Sequence, residues 1–133
     1  MKEYRVELPN QPGALSKLSL AMAQNLINVR SIAGIANGEP SKISFVVDQD
    51  DLMRATLQEH NINFEEIDLL IAQMPDQAGE LGALTEKLAE GNVNIDSIFV
   101  LDKGAGKVDI AFSCDKPTDA KLLMSELNEQ KQV

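Results

Sequence analysis

Cysteine, histidine and aromatic residues are scarce in this sequence. There is one cysteine, Cys114, one histidine, His60, no tryptophan, and aromatics make up 4% of 133 residues. A lone cysteine excludes an intrachain disulfide, and without a CxxC or Cys/His cluster no zinc site is expected. His60 follows a helical pattern near its C-terminal end, where a cation suits the helix dipole, so it reads as structural rather than catalytic. No run approaches the roughly 20 apolar residues of a membrane span. The opening residues Met1–Val6 carry Lys2, Glu3 and Arg5 and do not read as a signal peptide. The expected location is the reducing cytoplasm.

Positive charge is also short. Twelve Lys and Arg face 21 Asp and Glu, a net charge of −9. Nucleic-acid binders need a positive footprint, and anionic membranes attract basic segments, so neither partner is expected. The acidity reads mainly as solubility. Apolar residues at 44% and charged residues at 25% are ordinary for a globular protein.

What the sequence does contain is an internal repeat. Residues 8–32 (LPNQPGALSKLSLAMAQNLINVRSI) align with residues 74–98 (MPDQAGELGALTEKLAEGNVNIDSI). Pro9 matches Pro75, Gln11 matches Gln77, Gly13 matches Gly79, Leu18 matches Leu84 and Asn28 matches Asn94, all in one register. After the next turn the offset drops by one, Lys42 aligning with Lys107, as a loop deletion would produce. Two domains are expected, 1–66 and 67–133.

Each copy shows the same order of patterns. Glu3–Leu8 alternates, with Tyr4, Val6 and Leu8 on one face, as in a half-buried strand. Its counterpart Ile67–Gln73 is more apolar and suggests burial on both faces. Helices follow, with Leu15, Leu18, Met22 and Leu26 on one stripe and Leu81, Leu84 and Leu88 repeating it. They should end near Asn25 and Gly91, residues that tolerate a left-handed cap. Second strands are expected over Val29–Ile35 and Val93–Leu101. Turns at Asn37–Pro40 and Asp102–Gly106 reverse the chain. Third strands fall at Lys42–Val47 and Lys107–Ser113, and second helices at Asp50–His60 and Pro117–Glu129. Copy one adds a strand near Ile62–Glu66. Copy two shows no last strand, which implies truncation or an edge supplied by another chain.

The order βαββαβ–βαββα belongs to the α+β class: tandem ferredoxin-like units, antiparallel sheets with helices on one face. That fold hosts many functions. An RNA-recognition module would need strand aromatics and a basic face. A metal chaperone would need CxxC in the first loop. Neither is present.

The loops carry a further pattern. Asn10-Gln11-Pro12-Gly13-Ala14-Leu15 is followed by Ile27-Asn28-Val29, and Asp76-Gln77-Ala78-Gly79-Glu80-Leu81 by Val93-Asn94-Ile95. This doubled pattern resembles the ACT family, whose members have a polar loop ending in Pro-Gly before a helix, then a hydrophobic-Asn-hydrophobic lead into the second strand. The resemblance covers nearly the whole chain. Copy two departs from it at Ala78, where proline is usual, and no catalytic domain accompanies the repeat. The resemblance implies a stand-alone regulatory protein that binds an amino acid or similar metabolite between ACT units, touching the loop of one and the second strand of the other. By that resemblance the loop at Asn10–Leu15 would face Asn94 and Ile95, and the loop at Asp76–Leu81 would face Asn28 and Val29.

Physical chemistry supports such a site. A glycine at a strand–helix junction accepts unusual backbone angles and lets a ligand approach the main chain. The helix start offers unpaired N–H groups and a partial positive charge, suited to a carboxylate. Charge-assisted hydrogen bonds there contribute roughly 1.5–3 kcal/mol each. Affinity on the order of micromolar to millimolar would follow. Asn10 and Asn28 could each donate and accept. Copy two places Glu80 where copy one has Ala14, and Asp76 where copy one has Asn10. Copy one is therefore expected to be the better anion site.

No paired nucleophile and base, metal cluster or phosphate loop is evident, so neither enzymatic activity nor a cofactor is expected. A homodimer is expected from the open sheet edges, with a separate metabolic enzyme as a possible partner. The competing reading is an interaction module that assembles with an enzyme and binds no ligand.

Overall fold

The computed structural model describes residues 1–132. Two compact units divide the chain, Met1–Asp68 and Leu69–Val133. In the first unit the order is β1 (Lys2–Leu8), α1 (Ala14–Gln24), β2 (Val29–Ile35), β3 (Ser41–Val47), α2 (Asp50–Glu59) and β4 (Phe64–Asp68). The second holds β5 (Leu70–Pro75), α3 (Glu80–Glu90), β6 (Ile95–Gly104), β7 (Lys107–Cys114) and α4 (Pro117–Gln132). The first sheet runs β2-β3-β1-β4 and the second β5-β7-β6, every pairing antiparallel. Among the described residues no strand occupies the place beside β5 that β4 takes beside β1.

Alternation along β1 sends Tyr4, Val6 and Leu8 into a core with Leu18 and Met22 of α1 and Met53 and Leu57 of α2. The equivalent core of the second unit gathers Met74, Leu84, Leu88, Ile110 and Phe112. Each sheet thus has its helices on one face, the tandem ferredoxin-like α+β arrangement that the element order implies. The opposite face of β1 is less open than the pattern suggests. Glu3 is fully buried, tolerable because Arg5 donates to both its oxygens at 3.2 and 3.3 Å and Ser44 Oγ donates at 2.7 Å.

Several expectations change in detail. Ile67 belongs to β4, and the apolar run behind it alternates, with Ala72 and Met74 buried and Ile71 and Gln73 exposed. β5 is an edge strand with one covered face, where continuous burial was expected. The helical stripe is also narrower: Leu15, Leu26 and Leu81 are exposed, and Leu18, Ala21 and Met22 do the packing in α1. The second hairpin turn tightens to Ala105-Gly106, both at positive φ (53° and 75°), as a two-residue type I′ turn requires.

The helices end at the expected residues, yet Asn25 and Gly91 have φ of −95° and −87°. The left-handed residue comes one position later, at Leu26 and Asn92, both at 57°. The amide of Leu26 reaches the Ala23 carbonyl at 3.0 Å and that of Ile27 the Met22 carbonyl at 3.0 Å, a Schellman pair with the apolar Ile27 buried behind it. Asn61 and Asn92 hold the same position after α2 and α3. Leu26 carries the burden of a Cβ in the left-handed region while 84% exposed.

β4 is tied to the helix layer by polar contacts. Tyr4 Oη donates to Glu66 Oε1 at 2.9 Å, and Arg54 donates to the same carboxylate from α2. The Arg54 guanidinium, with the Tyr4 hydroxyl behind it, holds the Glu66 carboxyl below the usual carboxylate range.

Two outcomes follow. Leu26→Asn removes the left-handed penalty without removing a packed side chain and raises stability by roughly 0.5–1 kcal/mol, read from the urea midpoint. Because the folded-state pKa of Glu66 is depressed, its stabilisation is present above the ordinary value of 4.5 and is lost as pH falls through the folded value. Glu66→Gln should lower stability at pH 7 and flatten the acid limb of a stability–pH profile below pH 4.5.

Candidate functional site

Pro9 closes the first loop by accepting the Gln11 amide at 2.9 Å, and the Gln11 carbonyl meets the Ala14 amide at 3.4 Å. The chain then turns through Gly13 at φ 89°, ψ −13° into α1. Gly13 has no side chain with which to cap the helix, and α1 opens without a side-chain cap on its first-turn amides. A Cβ built on Gly13 would meet nothing within 4 Å, so the space beside it is open. The glycine is needed here for its dihedrals and not because a neighbour crowds it.

Beside this corner lies a hollow of about 260 Å³. Pro9, Asn10, Gln11, Ala14 and Leu15 form one wall, and Gly34, Ile35, Ala36, Ser41 and Ile43 the other. The loop therefore meets the end of β2. Asn28 and Val29 stand at the start of that strand and do not line the hollow. Asn28 is pinned through its backbone: its amide donates to Asp48 Oδ1 at 2.9 Å, and its carbonyl accepts the Asp48 amide at 3.1 Å. Its side chain lies on the exposed surface.

Asn10 is more committed than its sequence suggests. Its side-chain amide donates to the Gly38 carbonyl at 2.9 Å, and its backbone amide donates to both oxygens of Glu39, at 2.9 and 3.0 Å. A carboxylate of the chain's own thus sits against the loop. Sequence reasoning treated Asn37-Gly38-Glu39-Pro40 as a turn only and missed this contact. It missed Asp48 and Asp115 as well, although each stands two residues before its helix.

The second unit repeats the backbone and alters the chemistry. Gly79 takes φ 94°, ψ −17° and opens α3 without a side-chain cap. Gln77 N–H reaches the Pro75 carbonyl at 2.9 Å, and Glu80 N–H the Gln77 carbonyl at 3.3 Å across Ala78. Glu80 places an acid in the first turn, and Leu81 beside it is exposed. The Asp76 amide donates to the Gly106 carbonyl at 2.9 Å, with Lys103 3.5 Å from its carboxylate. Asn94, before Ile95, repeats the pinned geometry with Asp115 at 2.8 and 3.1 Å, but its side chain is tied to Asp96 at 3.1 Å. The first unit thus has no acid in its first helical turn, and its loop meets Glu39 instead.

Other chemistry is sparse. Burial raises the Cys114 thiol above its usual value, the opposite of an activated nucleophile. His60 ends α2 with Nδ1 3.0 Å from the Thr56 carbonyl oxygen. Among the described residues no three His, Cys, Asp or Glu gather as a metal site, and no helix is long and apolar enough to cross a membrane.

Glu39→Ala should expose the Asn10 amide. Its hydrogen exchange is expected to quicken roughly tenfold, the equivalent of one lost hydrogen bond, while amides in the β1–β3 ladder keep their protection. NMR-detected exchange checks this.

No family model matches the sequence, and no curated protein does. Solved structures do. A Bacteroides thetaiotaomicron protein superposes with a TM-score of 0.86 at 16% identity, over 94% of this chain and 86% of that one. The ligand-free regulatory subunit of aspartate kinase from Thermus thermophilus gives 0.67 at 17% identity, over 95% and 91%. A structure of aspartokinase alpha and beta subunits gives 0.68 at 18% identity, over 96% and 92%. At these identities the likeness is one of fold, and it extends over both units. The shared architecture is the tandem ferredoxin-like α+β arrangement.

Proposed function

We propose that this chain is a regulatory protein that binds a small amino acid at the first unit's loop and acts on a separate metabolic enzyme. The observation that carries the reading is the uncapped start of α1 at left-handed Gly13, beside a hollow of about 260 Å³. Free first-turn amides suit a carboxylate, and the Glu39 carboxylate against Asn10 offers an acceptor for an ammonium. Gly34, Ile35 and Ala36 leave room for a small apolar side chain. Similarity of fold to an aspartate kinase regulatory subunit supports the regulatory part of this reading.

Assembly with a second copy belongs to the same proposal. β2 is an edge strand on which Val29, Ile32 and Ile35 are exposed. Such an apolar edge calls for a covering strand. In this reading Asn28 and Val29 meet a loop of the second copy. The same edge favours the alternative, in which the chain only docks onto an enzyme; calorimetric titration with the twenty amino acids separates the two, since docking alone predicts no saturable heat.

Paired variants locate the site. Gly13→Val and Gly79→Val each force a β-branched residue into the left-handed region, at a similar cost of about 1–2 kcal/mol in stability. Gly13→Val should weaken amino-acid binding tenfold or more, and Gly79→Val should leave it within twofold. Equal losses would move the site away from the first corner.

A further inference from the structure

The loop at Pro9–Gly13 has a second side. Toward the helix layer of the first unit lies a separate pocket of about 250 Å³, walled by Leu8, Leu18 and Ile62 and rimmed by Gln11, Lys17 and His60. In a chain of net charge −9, two of the few nitrogen bases converge on one apolar opening. Lys17 enters no ion pair among the described residues. His60 is oriented by its contact to Thr56 through Nδ1, which leaves Nε2 as the nitrogen available to a guest.

The second unit supplies an internal contrast. A pocket of about 280 Å³ along β5 there includes Met74, the counterpart of Leu8, and Leu84, the counterpart of Leu18. The rim reverses sign: Glu80 stands for Ala14, Leu127 for His60, and no cation lines it among the described residues. The apolar wall at Leu8 and Leu18 thus has counterparts in the second unit, whereas the Lys17 and His60 rim has none among its described residues.

We propose that the first-unit pocket binds a small monocarboxylate with a branched apolar body, its carboxylate on Lys17 beside His60 and its body against Leu8, Leu18 and Ile62. The pocket is distinct from the hollow at Gly34–Ala36, so this inference stands or falls independently of the amino-acid reading. Its walls suit an aliphatic chain, and its rim favours an anion over an amine.

The test is an NMR titration of the ¹⁵N-labelled full chain with 3-methylbutanoate, using 3-methylbutylamine as the size-matched cation. The acid should give saturable shifts at Lys17, His60 and Ile62, with a dissociation constant of roughly 0.1–10 mM. The amine should give none there. Lys17 is exposed, so Lys17→Glu should fold unchanged, as circular dichroism will verify, and should loosen the acid about tenfold. Non-saturable shifts, an equal response to the amine, or unchanged affinity in Lys17→Glu would each overturn the proposal. So would shifts centred on Gly34 and Ser41, which would place the acid in the other hollow. Amino-acid binding that perturbs Gly34 and Ser41 would leave the inference untouched, so the two readings fail separately.

Discussion

Each unit turns on one backbone constraint: a glycine at φ near 90° between the first strand and the first helix. An L side chain at that angle is strained, so the corner can be made cheaply only by glycine. The same residue that permits the turn cannot cap the helix it starts. Uncapped amides and an open space beside the Cα follow from one choice of residue. The hollow at the end of β2 and the pocket beneath the loop both border this corner.

The two units show what a duplicated backbone leaves free to vary. Corner dihedrals, helix ends and the Asp pin on the second strand recur within a few degrees or tenths of an ångström. Charges around the loops and pocket rims do not recur. Ala14 becomes Glu80, His60 becomes Leu127, and the carboxylate meeting the loop amide of the first unit is replaced by the Gly106 carbonyl in the second. Backbone geometry is set by packing and dihedral cost, whereas rim residues are exposed and change at little energetic cost. Divergence of function between the units therefore has to be sought at the rims.

Leu26 illustrates a choice that stability alone does not explain. Its counterparts after α2 and α3 are Asn61 and Asn92, which tolerate the left-handed region better. Leu26 is both strained and exposed. It lies three residues before β2, whose Val29, Ile32 and Ile35 are also exposed.

The repeat, the strand and helix order, the fold class and the glycine corners were legible in the sequence, because period, register and positive-φ demand are local properties written residue by residue. The asymmetry at Ala14 and Glu80 was legible for the same reason. Tertiary structure alone decided how those positions are used. It buried Glu3 by bringing Ser44 across from β3, made β5 a one-faced edge, and drew Glu39 onto Asn10 across the hairpin. It also set Asp48 on Asn28 and joined Lys17 to His60 around one pocket. These pairs lie 20 to 43 residues apart in the sequence, and only chain reversal in three dimensions determines which of them meet.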